Sequence, residues 1–315
     1  DALGAGILTF ALAGMLGSAA LYLGGYLAWW ACLLLNAFFA SLTHELEHDL
    51  IHSMYFRKRR VPHNLMMALV WLARPSTINP WVRRHLHLNH HKVSGSEQDM
   101  EERAITNGEP WGLARLLMVG DNMMSSFIRW LRASNPKHRR LILTRTLKVY
   151  APLGLLNWGT WYVFLGFHLI DFAAAALGAP VTWSATTLSV MALVNIAVVV
   201  LVGPNVLRTF CLHFVSSNMH YYGDVEAGNV IQQTQVLNPW WLWPLQAFCF
   251  NFGSSHAIHH FVVKEPFYIR QWNAGIAHQV MREMGVRFND FGTFGRANRF
   301  GLAQGRPLAT ADATA

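Results

Sequence analysis

Three histidines fall within five positions of SSHAIHHF (residues 254–261): His256, His259 and His260. The same H-x-x-H-H spacing returns in HLHLNHHK as His87, His90 and His91. On a helix, positions i, i+3 and i+4 share a face, so each triad turns its imidazoles toward one point. A third stretch, THELEHDLIH, sets His44, His48 and His52 at successive i+4 spacings, and a further His220 stands in SSNMHYYGD. Imidazole is a ligand for zinc, copper, iron and nickel. Two ligands from the first stretch, three from each triad and His220 make nine. That number is too large for one ion and suits two ions with four or five ligands each.

One rival chemistry is written into the same stretch. His44-Glu45-Leu46-Glu47-His48 matches H-E-x-x-H, in which two histidines hold zinc and Glu45 is the general base. A catalytic zinc takes three protein ligands and keeps one position open. Both H-x-x-H-H triads would then have no purpose.

The elements that must position these side chains are membrane helices. Of the 315 residues 53% are hydrophobic and only 13% charged, against roughly 25% charged in ordinary soluble domains. Residues 2–43 are almost continuously apolar, enough for two passes of about 20 residues each, with Gly24-Gly25 as the turn. Residues 150–171 and 185–207 form a second pair joined by LGAPVTWS. The expected spans are therefore about 2–22, 25–43, 150–171 and 185–207, two hairpins that return the chain to its starting side. Residues 2–22 are too long and too uncharged at the front for a signal peptide. All 25 Lys and Arg lie in 57–148 and 208–306, and every histidine except His168 lies in 44–148 or 208–315. By the positive-inside rule both basic segments face the cytoplasm. That segregation accounts for the net charge of +8 without a nucleic-acid partner. The apolar stretches 65–73 and 238–250 are too short to span and read as interfacial or re-entrant pieces. The single domain is expected over 1–285, with 286–315 a loosely ordered tail.

The combination H-x3-H, H-x-x-H-H, H-x-x-H-H with hairpins between resembles the membrane fatty acid desaturase and hydroxylase superfamily, over roughly residues 25–270. RRHLHLNHHKVSGSEQDME (83–101) is similar to its second histidine box and NFGSSHAIHHFVVKEPFY (251–268) to its third. The resemblance implies an all-α membrane protein with four transmembrane helices and a cytosolic helical cap that carries the boxes. It implies a di-iron centre, O2 as co-substrate and an acyl substrate: a fatty acyl lipid, an acyl-CoA or an acyl carrier. Within the first box, His48-Asp49-Leu50-Ile51-His52 resembles the H-[DE]-x-x-H form of acyl desaturases and lies 35 residues before His87. His48 and His52 are therefore chosen as ligands, with His44 the alternate. HYYG is similar to an H-Y-G element of alkane monooxygenases and brings in His220. The family often has an Asn four residues earlier, where this chain has Ser216; Asn218 sits two before, and His213 is a further ligand candidate.

Carboxylates near ligands orient them by accepting the other ring N–H, and Asp49, Glu97, Asp99 and Asp224 are the candidates by proximity in sequence. The runs RKRR (57–60) and KHRR (137–140) read as anchors at anionic headgroups. Cys32, Cys211 and Cys249 form no C-x-x-C pair, and no H-P-G-G haem motif is present. Electrons must then come from a separate donor of ferredoxin, rubredoxin or cytochrome b5 type. A metal transporter would need ligands deep in the membrane, where the second hairpin offers only His168, Asp171 and Asn195. The expected function is oxygen-dependent desaturation of a fatty acyl chain, with hydroxylation the near alternative. The expected location is a bacterial inner membrane rather than the endoplasmic reticulum.

Overall fold

The computed structural model describes residues 1–105 and 108–301. No strand occurs among them, and the only pairings are isolated bridges of His220 with Thr234 and Val236 with Phe288. α1 (Ala2–Leu23) is an uncharged run rich in Ala and Leu that stops at Gly24. Gly25 then takes φ +78°, a conformation that glycine alone adopts without strain. α2 (Trp29–Ile51) returns antiparallel to α1. Gly4 lies under Tyr55 and Gly14 under Phe39, positions where a Cβ would overlap the ring. Ser18 hydrogen-bonds Asn36 across the pair.

The first connecting region folds into α3 (Arg60–Ala73), α4 (Pro80–Val93), α5 (Met100–Ile105), α6 (Leu113–Gly120), α7 (Asn122–Arg132) and α8 (Pro136–Tyr150). α9 (Leu153–Ala176) follows, then α10 (Ala185–Ala197), a π-helical turn (Val198–Val202) and α11 (Gly203–Met219) in one continuous run. Asn36 of α2 donates to the Val200 carbonyl in that turn at 2.7 Å, fixing the hairpin against the later helices. The second polar region forms α12 (Val230–Gln233), α13 (Trp243–Gln246), α14 (Phe252–Phe261), α15 (Phe267–Trp272) and α16 (Ala274–Glu283).

Three helical runs are long and apolar enough to cross a membrane: Ala2–Leu23, Leu153–Ala176 and Ala185–Met219. They match the expected spans 2–22, 150–171 and 185–207, the second shifted to 153–176 and the last running twelve residues further, to Met219. The expected span 25–43 differs. α2 is apolar from Trp29 to Thr43, about 22 Å at 1.5 Å per residue, short of a hydrocarbon core of about 30 Å. Its last two turns instead carry His44, Glu45, Glu47, His48 and Asp49, all buried inside protein.

The short apolar pieces do not insert as long helices. Residues 65–73 belong to α3 and leave Leu65 and Leu72 exposed, while 238–250 breaks into a 3-10 turn and α13, with Trp240 and Trp243 exposed. Two apolar clusters flank the polar centre: Leu8, Leu46, Leu50 and Met67 on one side, Val215, Ala257, Ile258 and Met281 on the other. Residues 286–301, part of the segment expected as a loose tail, are hydrogen-bonded to the rest of the chain. Asn298 hydrogen-bonds the carbonyls of Ser217 and His220, and Asp290 accepts from Tyr221 at 2.8 Å. Buried polar partners hold this segment where its composition suggested none. The remainder of the expected tail, 302–315, lies outside the described residues.

Candidate metal centre

Four segments bring the histidines together. α4 starts at Asn79, whose side chain accepts from the Trp81 amide, with Pro80 in the first turn, a favourable start for a helix. It presents His87, His90 and His91. α14 is entered through Phe250 and Asn251, both at positive φ (49° and 55°), a tight reversal unusual for non-glycine residues. Gly253 then passes against the Leu237 carbonyl, where a Cβ would collide. α2 supplies His48 and, at its C-cap, His52; the C-cap of α11 supplies His220.

The nine histidines form two groups. His48, His52, His87, His91 and His259 make one, and His90, His220, His256 and His260 the other. Within each group the nitrogens that can bind a metal lie within 4.8 Å of one another. The triads divide in a complementary way. At 100° per residue, i+4 lands roughly 40° past its origin and i+3 roughly 60° short of it. α4 sends its i,i+4 pair, His87 and His91, to the five-histidine group and His90 to the other. α14 sends His256 and His260 to the four-histidine group and His259 to the first.

In the larger group four Nε2 atoms form a ring: His52–His87 3.0 Å, His87–His91 3.1 Å, His91–His259 2.9 Å and His259–His52 3.1 Å. The Nε2 of His48, in the same group, is buried and makes no hydrogen bond, and neither does that of His220 in the other group. Buried nitrogens without partners are costly unless a cation fills the space between them. The donor set fits a transition metal in each group.

Outer partners set the tautomers. His87 Nδ1 donates to Glu101 at 2.8 Å, His90 Nδ1 to Asp99 at 2.7 Å, His260 Nδ1 to Gln233 at 3.0 Å and His220 Nδ1 to the Ser216 carbonyl at 2.9 Å. A ring that donates through Nδ1 keeps a bare lone pair at Nε2. Burial pushes His52 and His220 down to about 3 and His91 to about 2, and carries His48, His256, His259 and His260 well below the ordinary range. Neighbouring imidazoles add to each shift. These rings are therefore neutral, the form that binds metal. His90 goes the other way: burial lowers it, but the hydrogen bond and charge of Asp99 prevail and raise it to about 9. A metal at His90 must displace that proton.

Of the acids expected to orient ligands, only Asp99 does so. Asp49 accepts from Tyr55 (2.8 Å), the Phe267 amide (3.0 Å) and Arg270 (3.1 Å), locking α15 onto α2. Asp224 caps the Phe300 and Gly301 amides, both at 2.7 Å, and Glu97 is exposed. Asn218 accepts from Trp111 at 3.0 Å and takes a structural place. Glu101, Gln233 and the Ser216 carbonyl were missed. Glu101 lies two residues past Asp99, on α5, whose direction the sequence left open; Gln233 and the Ser216 carbonyl carry no motif. His44 and His213 stand outside both groups. His44 faces Arg74 instead, Nδ1 to Nη1 at 3.2 Å, so the two histidines of H-E-x-x-H do not converge.

A cavity touches both groups. His87, His90 and His256 line it beside the apolar Ile78, Leu86, Leu212 and Phe252. The family model for fatty acid desaturases matches residues 24–292. The chain belongs to the fatty acid desaturase family. A comparison with curated proteins returned no match. This member of the family carries two histidine groups that could each hold a metal ion, together with three helical runs long and apolar enough to cross a membrane.

Proposed function

We propose that the chain is an oxygen-dependent di-iron desaturase that inserts a C=C bond into a fatty acyl chain, with electrons from a separate ferredoxin, rubredoxin or cytochrome b5 type donor. The observation that carries this reading is the five-plus-four division of nine imidazoles beside one partly apolar cavity. In this reading His48, His52, His87, His91 and His259 hold one iron and His90, His220, His256 and His260 the other. An iron pair supplies oxygen activation and hydrogen abstraction from an unactivated C–H bond. Desaturation balances as one O2, two electrons and two protons consumed, two hydrogens removed from adjacent carbons, and two waters formed.

The chain's own residues have three tasks. Glu101, Asp99, Gln233 and the Ser216 carbonyl hold the Nδ1–H groups, so that the lone pairs of their rings point inward. Ile78, Leu86, Leu212 and Phe252 give the acyl chain an apolar wall. Burial of the four-histidine group excludes bulk water from the reacting face. We place four crossings, α1, α2, α9 and α10–α11, the short apolar part of α2 being completed by its last two turns inside the protein, with the histidines at the cytoplasmic face of a bacterial inner membrane. The absence of Lys and Arg from 149–207 beside 17 of them in 44–148 supports that orientation.

The test is iron analysis of the purified protein together with lipid mass spectrometry of expressing cells, wild type against His259→Ala. The wild type should carry about two iron ions and give acyl products lighter by two hydrogens, and His259→Ala should give no such product. A product heavier by one oxygen would make the enzyme a hydroxylase. A zinc-loaded protein that stays inactive after iron reconstitution would remove the di-iron reading.

A further inference from the structure

Among the described residues, Arg208 is a buried cation without a carboxylate. It is 1% exposed and lines the cavity beside the histidines. Its Nη2 reaches only two hydroxyls, Thr209 Oγ1 at 3.1 Å and Ser76 Oγ at 3.4 Å. Nε and Nη1 have no partner at all, which leaves three of the five N–H donors of a guanidinium unmet. The other two cavity arginines each have a carboxylate partner. Arg74 pairs with Glu47, and Arg83 with Glu47 at 2.9 Å and Glu101 at 3.2 Å. Glu102, the cavity's remaining acid, faces Ser216 and His220. Arg74 and Arg83 thus share Glu47 and Glu101, and no carboxylate lies within ion-pair distance of Arg208 among the described residues.

His44 adds a second donor. Its Nδ1 lies 3.2 Å from Arg74 Nη1, which can only donate, so the ring proton sits on Nε2. That Nε2–H is buried, unpartnered and on the same cavity. A free guanidinium edge and a free imidazole N–H, with no acceptor to meet them, describe an anion site. An uncompensated buried charge is too costly to keep unless something binds to it.

We propose that Arg208 and His44 bind the anionic head of the substrate, and that this head is a carboxylate: the enzyme takes an acyl chain as the free acid, not as a neutral ester. This rests on the cavity being the substrate site of the oxygenase proposed above. One guanidinium and one neutral N–H match a single planar negative charge, whereas a doubly charged phosphate calls for a cluster of cations.

The experiment measures equilibrium binding of radiolabelled hexadecanoate, its methyl ester and hexadecyl phosphate to the full chain in detergent, with melting temperatures alongside. The wild type should bind the acid at least about tenfold more tightly than the ester, the worth of a charge-assisted bidentate pair. Arg208→Gln should abolish that preference and leave the ester unchanged, and Arg208→Lys should keep part of it. Without ligand, Arg208→Gln should melt no lower than the wild type, because it removes an unpaired buried charge. Hexadecanoate should raise the melting temperature of the wild type alone. Equal binding of acid and ester by the wild type would overturn the proposal. So would a lower-melting Arg208→Gln that loses both ligands equally, which would make the residue structural. Tighter binding of hexadecyl phosphate would overturn the carboxylate assignment. Binding is read without turnover, so a protein that prefers the acid but never makes product would refute the oxygenase reading and leave the anion site standing.

Discussion

The two histidine groups are built from the same motifs and differ in their surroundings. The five-histidine group takes two adjacent turns of α2, so two of its members, His52 and His91, remain partly exposed. The four-histidine group is buried throughout, and three of its rings, His90, His220 and His260, are held through Nδ1 by Asp99, the Ser216 carbonyl and Gln233. In the larger group only His87 has such a carboxylate, Glu101, which it shares with Arg83. The difference teaches that ligand number and ligand rigidity trade against each other. Five loosely held rings can lose one and still surround an ion, whereas four rigid ones cannot.

Single deletions should expose that asymmetry most strongly. His260→Ala leaves three ligands in a buried site that water fills poorly, and the expected outcome is loss of about one iron per chain and of all product. His52→Ala should also stop product formation but retain more metal, because four imidazoles remain and solvent reaches the gap. Iron content by elemental analysis decides, and a greater loss in His52→Ala would break the comparison. Exchanging the carboxylates should act less severely. Asp99→Asn should weaken iron binding by about 10–100-fold, and Glu101→Gln should fall at the lower end, since Arg83 already shares that acid. Competition with a chelator measures both, and equal losses would show that the two groups are equally dependent on their outer partners. The smallest effect on metal is expected from His44→Ala and Glu45→Gln. Both residues lie outside the two groups, and Glu45 sits 3.7 Å from Arg270. Iron content should stay at the wild-type level in each, and a loss in His44→Ala would mean that α2 presents a different pair of histidines.

The contrast between motif and surroundings also marks how far the sequence could be read. Helical periodicity alone put His87, His90 and His91 on one face, and likewise His256, His259 and His260, because i, i+3 and i+4 are neighbours on any helix. Long uncharged runs fixed three apolar helices, since segments of that length need an apolar solvent. All nine histidines singled out from the sequence lie in the two groups. The orienting groups were less legible. Asp99 was singled out, but Asp49, Asp224 and Asn218 are spent on Arg270, backbone amides and Trp111. A carboxylate next to a histidine in sequence points elsewhere once the helix turns by 100° per residue.

The residue types, their spacing and the segregation of charge from apolar runs determined the class of this protein and its stock of metal-binding side chains, because those properties are local. Tertiary structure alone decided the rest. It split each triad between two groups, which depends on the angle at which α4 and α14 approach α2. It brought Glu101 and Gln233 to imidazoles 14 and 27 residues away. It also left Arg208 without a counter-charge beside His44, two residues 164 positions apart that no periodicity relates. Contacts of that kind arise from packing between helices, and a pattern along one chain carries no record of them.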